Sequence, residues 1–86
     1  MRYDKAVANG IKNLDKWKKS LQDATKSGHL SADTAKELSE AYGDMLDIDG
    51  SKLSDSFLRS ADNLKRMEDA MNGSEEAYNE LRDLAR

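Results

Sequence analysis

Residues 3–28 read YDKAVANGIKNLDKWKKSLQDATKSG, and the spacing of their apolar side chains decides the fold. Tyr3, Val7, Ile11, Leu14, Trp17, Leu21 and Ala24 recur at steps of three and four, which gathers them on one face of an α-helix. Lys12, Asp15, Lys16 and Lys19 take the opposite face. Gly10 lies inside the run at a cost of about 1 kcal/mol relative to alanine, so a close helix contact or a local weak point is expected there. Lys26-Ser27-Gly28 supplies the stop, because glycine reaches the left-handed conformation that ends helices.

Working outward, Ser31 is the expected cap of a second helix, with Asp33 adding negative charge near the positive end of its dipole. Ala35, Leu38, Ala41, Tyr42, Met45 and Leu46 form its apolar stripe. The connection around Gly28-His29-Leu30 is short, which predicts an antiparallel hairpin with Trp17 as an anchor. Asp47 to Lys52 reads as a turn, rich in residues that bond their own backbone. Ser54 then caps a third, long helix in which Phe57, Ala61, Leu64, Met67, Ala70 and Met71 repeat until Asn72-Gly73. Ser74-Glu75-Glu76 opens a short fourth helix lined by Ala77, Tyr78, Leu81 and Leu84. The expected fold class is all-α, a small bundle of about four helices, with residues 1–86 forming a single helical domain.

Eighty-six residues leave room for a small core only, since a chain of this size buries roughly 60% of the surface its unfolded form exposes. Charged residues make up 36% and apolar ones 37%, and the absence of proline together with regular apolar spacing argues against disorder. No cysteine is present, so neither a disulfide framework nor a thiolate metal site is available. The net charge of −3 hides an asymmetry: residues 1–26 hold seven Lys/Arg against three Asp/Glu, and residues 27–86 hold seven against fourteen. Asp4, Asp15 and Asp23 break up the basic run, so it reads as a solvated face able to meet acidic helices rather than as a nucleic-acid site. Its longest apolar run, Ala6-Val7-Ala8, is far too short to insert into a membrane.

Few residues invite chemistry. Aligning Gly50 with the glycine of a calcium loop puts Met45 at the first ligand position and Ser56 at the closing glutamate, so Asp47 and Asp49 read as turn residues. His29 is the one histidine, which excludes paired-imidazole catalysis and multi-histidine metal sites. No spacing of the five glycines matches a phosphate-cradling loop. No catalytic residue, metal ligand or cofactor is therefore assigned. The sharpest local alternative is Asp55-Ser56-Phe57-Leu58 at a helix start, which resembles the modification site of acyl and peptidyl carrier proteins. That resemblance implies a phosphopantetheine arm on Ser56 and an acidic docking helix. It departs from the carrier pattern in having Ser54 where a glycine normally precedes the Asp-Ser pair.

A broader likeness comes from several strings in order: Leu14-Asp15-Lys16-Trp17, Ala41-Tyr42-Gly43-Asp44-Met45-Leu46, Leu53-Ser54-Asp55-Ser56-Phe57-Leu58, Ser60-Ala61-Asp62-Asn63-Leu64 and Asn72-Gly73-Ser74-Glu75-Glu76-Ala77-Tyr78. Together they resemble the tape-measure proteins of tailed phages and prophages in gut Gram-positive bacteria. The resemblance implies a non-enzymatic module of a longer, mostly helical protein that fills the tail tube and sets its length. Its implied partners are tail-tube and assembly proteins; apart from the resemblance, leftover apolar surface on the short last helix offers a homo-oligomer as a further option. The implied location is the bacterial host's cytoplasm during assembly and the virion tail afterwards. A stand-alone helical interaction adaptor is the remaining alternative.

Overall fold

The structure, a computed structural model, describes residues 2–86. α1 spans Arg2–Ser27, α2 Ala32–Leu46, α3 Asp55–Arg59, α4 Ala61–Met71 and α5 Glu75–Leu84, with a single 3-10 turn at Gly50–Lys52. No strand occurs among the described residues, so the chain is all-α. Gly28 ends α1 with φ +87°, its N–H donating to the Ala24 carbonyl at 2.8 Å. Ser31 caps α2, its hydroxyl accepting from the Thr34 N–H at 3.3 Å. Ser20 lies beside Thr34, and Lys16 and Trp17 meet Glu37, so the two chain directions oppose each other. The hairpin expected from the short connection is present.

Trp17, Leu38, Tyr42, Leu46, Met67 and Leu81 are the largest fully buried side chains and form the centre of the bundle. Tyr42 meets Phe57 edge to face, ring centroids 4.9 Å apart, which fixes α3 against α2. Tyr3 packs edge-on against Tyr78 at 6.0 Å and donates to the Ala70 carbonyl at 3.0 Å, joining the start of α1 to α4 and α5. At Gly10 an added Cβ would collide with the Met71 thioether, so the glycine marks the close contact expected of it.

Four positions differ from the sequence reading. The long third helix is broken at Ser60, whose φ −73° and ψ 115° are extended. Its N–H closes α3 on the Phe57 carbonyl, and its hydroxyl accepts from the Asn63 N–H at 3.1 Å to open α4. Serine competes with the helical ladder in this way because its hydroxyl stands in for a backbone acceptor. Ile11, expected inside, is 69% exposed. The core direction of α1 is set by Ala6, Gly10, Trp17, Leu21 and Ala24, and Ile11 lies about 100° around the helix from Gly10. Leu84 is 52% exposed, three residues past Leu81, the last fully covered position of α5. Ala61, at the head of α4, also faces solvent.

The basic α1 is set against acidic neighbours. Lys16 pairs with Glu37 at 2.9 Å and Lys18 with Glu68 at 3.2 Å. Both pairs are solvent-facing, so each contributes roughly 0–1 kcal/mol.

Candidate functional site

Ser56 is the second residue of α3 and is exposed. Ser54 before it does the capping, accepting from the Phe57 N–H at 3.1 Å, while Asp55 pairs with Arg59 at 3.5 Å one turn on. Ser56 therefore stays outside the cap and opens on a shallow groove of about 300 Å³ shared with Leu21, Ala24, Thr25, Arg59 and Ser60. A neighbouring groove of about 260 Å³ continues it along α1 and α4, with Leu21 and Leu64 on its floor and Lys18, Arg59 and Lys65 at its rim. Ser60, at the break, lines the first groove, and Arg59 beside it lines both.

Behind the bend lies a polar chain. Asn63, 6% exposed, donates from Nδ2 to the Phe57 carbonyl at 3.2 Å. Its Oδ1 accepts from Arg66 Nη1 at 3.0 Å, and Arg66 Nε donates to Glu80 Oε2 at 3.0 Å. One route of hydrogen bonds thus links α3, α4 and α5. Across the molecule the Trp17 indole N–H donates to Glu37 Oε1 at 3.0 Å. That bond, then Lys16, holds the Glu37 carboxyl below its ordinary value.

The turn residues keep structural posts. Asp47 ends α2 in the left-handed region at φ 56°. Asp49 accepts from the Ser51 hydroxyl at 2.6 Å and the Ser51 N–H at 3.1 Å, and both bonds lower its carboxyl pKa. His29 is exposed in the α1–α2 connection, where Ser27 donates to its carbonyl. Among the described residues no group of three or more His, Cys, Asp or Glu is placed to hold a metal ion. No helix among them is long and apolar enough to cross a membrane.

Sequence reasoning missed two features here. The Asn63–Arg66–Glu80 chain needs the bend, and the available signal was Ser60 followed by Asp62, a cap and an acidic first turn in what reads as helix interior. The second is the seat of the turn on α2. A Cβ on Gly50 would collide with the Ser39 carbonyl, and one on Gly43 would stand 3.0 Å from the Ile48 carbonyl oxygen. Two glycines let backbone lie against backbone, so the turn sits directly on the helix.

No family model matches the chain, and comparisons with curated proteins and with solved structures find no match.

Proposed function

We propose that the chain is a non-enzymatic structural and assembly module of a tape-measure-like phage tail protein. The observation that carries this reading is the use made of its polar side chains. Ser31, Ser54, Ser60 and Ser74 cap helices, and Glu37, Glu68 and Glu80 join one helix to another. Side chains employed in this way suit a protein whose work is to hold a shape and present surfaces. The strings that resemble the family support the same reading, since they contain the anchor Trp17, the Tyr42–Phe57 pair, the bend at Ser60 and the turn at Gly73. Its partners are then tail-tube and assembly proteins, met in the host cytoplasm and retained in the finished tail.

Two measurements test this. Mass spectrometry of purified tails from the source strain should find peptides of this chain, and the gene should lie among tail genes. Tails lacking those peptides, together with a gene set apart from any tail gene, would end the proposal.

A carrier function on Ser56 is favoured by one observation, the exposure of that residue at the head of α3. Incubation with coenzyme A and a phosphopantetheinyl transferase, followed by intact-mass measurement, decides it. An unchanged mass removes the carrier reading.

A further inference from the structure

α1 has a second apolar face beside the buried one. Asp4, Val7, Ile11, Leu14 and Lys18 follow one another at steps of three, four, three and four, the spacing of a coiled-coil seam. Val7 and Leu14 are half-buried at its edge, and Ile11 at its centre is 69% exposed. The bundle's own packing leaves this isoleucine in water, on a helix whose other solvent-facing positions include Lys12, Asp15, Lys16 and Lys19. The seam ends in opposite charges, Asp4 at one end and Lys18 at the other.

We infer that this seam receives α1 of a second copy of the chain, running antiparallel about a two-fold axis near Ile11. The charge order selects both the partner and its direction. Asp4 and Lys18 each lie seven residues from Ile11, about 10 Å along the helix. An antiparallel copy brings Asp4 level with Lys18 of the second copy, and the two-fold axis repeats the pair. A parallel copy would set Asp4 on Asp4 and Lys18 on Lys18, which repel. Lys18 already pairs with Glu68, yet its side chain is 43% exposed and its ammonium has three donors, so it can bridge both carboxylates. The contact is isologous, closing at two copies rather than propagating. A single pair of crossing helices covers well under the ~1,200 Å² of a stable interface, so the dimer is weak and strongly concentration-dependent. This inference stands apart from the tail reading and does not need it.

Sedimentation velocity of the full chain over a series from about 10 μM to about 1 mM tests it, the range in which weak dimers form. The average mass should climb toward twice the monomer at the upper end. Ile11→Lys should stay monomeric throughout, with an unchanged thermal melt because the position is exposed. Asp4→Lys and Lys18→Asp should each weaken association several-fold, and the double variant should restore it. A wild-type chain monomeric at the highest concentration overturns the inference, as does dimerisation that survives Ile11→Lys. A double variant no better than its parents overturns the antiparallel arrangement. If Lys18→Asp disturbs the fold through Glu68, the wild-type series and Ile11→Lys still decide.

Discussion

Replacing Asn63 by alanine should destabilise the chain by about 2 kcal/mol, although the residue is polar and small. Its amide lies behind the bend at Ser60, where the Phe57 carbonyl has left the regular helical ladder. That carbonyl accepts one other hydrogen bond, from the Ser60 N–H at 3.3 Å, and the Asn63 Nδ2 bond at 3.2 Å completes it. With the Ser60 N–H still in place, losing this second bond costs about 0.5–1.5 kcal/mol, and the void left by the buried amide adds the rest. Arg66 loses the Oδ1 contact as well, but it keeps Glu80 at 3.0 Å and reaches water, so little is added there. In a chain of this length each kcal/mol lowers the melting temperature by about 4–8 °C, which puts the shift on the order of 10 °C. Urea denaturation followed by circular dichroism, with calorimetry beside it, would measure both quantities. Asn63→Asp is the control: it retains an acceptor for Arg66 but sets a carboxylate against the Phe57 carbonyl. It should be at least as harmful as alanine. If either variant stays within about 0.5 kcal/mol of wild type, the size of an ordinary surface substitution, the account of the bend is wrong.

The Tyr42 hydroxyl is buried with no hydrogen-bond partner among the described residues, so Tyr42→Phe should be neutral or stabilise by up to about 1 kcal/mol in denaturant melts. Burial, opposed by Arg66, also raises that hydroxyl's pKa above the usual tyrosine value of about 10. The unfolded chain therefore loses its proton first, and stability present below about pH 10 should decline above it, less steeply in Tyr42→Phe. Gly50→Ala should destabilise by about 1–3 kcal/mol or more, because the Ser39 backbone cannot yield, whereas Gly10→Ala should lie near zero as the Met71 side chain moves and helix propensity improves. Leu64→Ala should cost about 2–5 kcal/mol and the exposed Lys12→Ala almost nothing; equal effects in melts would mean the faces of these helices are misassigned.

The caps at Ser31, Ser54 and Ser74 were legible because each interrupts the apolar rhythm just where a helix begins. Ser60 was not, since Phe57, Ala61, Leu64 and Met67 keep their spacing across it. Periodicity records which face is apolar and is blind to a bend that preserves the face. What breaks the helix is a local competition between the Ser60 hydroxyl and a backbone carbonyl, settled by the buried bond from Asn63. Ile11 was misplaced for the opposite reason: steps of three and four span a wider arc than the bundle covers, so the rhythm included one residue too many. Of the candidate site, the position of Ser56 at a helix start could be read directly. The grooves beside it could not, because their linings join α1 to residues some forty positions further along the chain. The Gly43–Gly50 seat was equally hidden, being a contact between backbones that no local pattern announces.

The charge asymmetry along the chain takes on a definite meaning once the pairs are located. Lys16–Glu37 and Lys18–Glu68 lie at the rims of the α1–α2 and α1–α4 contacts, both solvent-facing, so they cannot be what holds the bundle together. Burial around Trp17, Tyr42, Leu38 and Met67 supplies the cohesion, and it is nearly indifferent to which neighbour an apolar face meets. Rim charges are not indifferent: a basic α1 between two acidic helices penalises arrangements that put like charges together. The same reasoning applies at the second face of α1. There Ile11 offers non-directional attraction, and the opposite charges of Asp4 and Lys18 decide which way an incoming helix can lie. In this small bundle apolar area drives contact, whereas the order of charges along α1 selects among the contacts that area alone would permit.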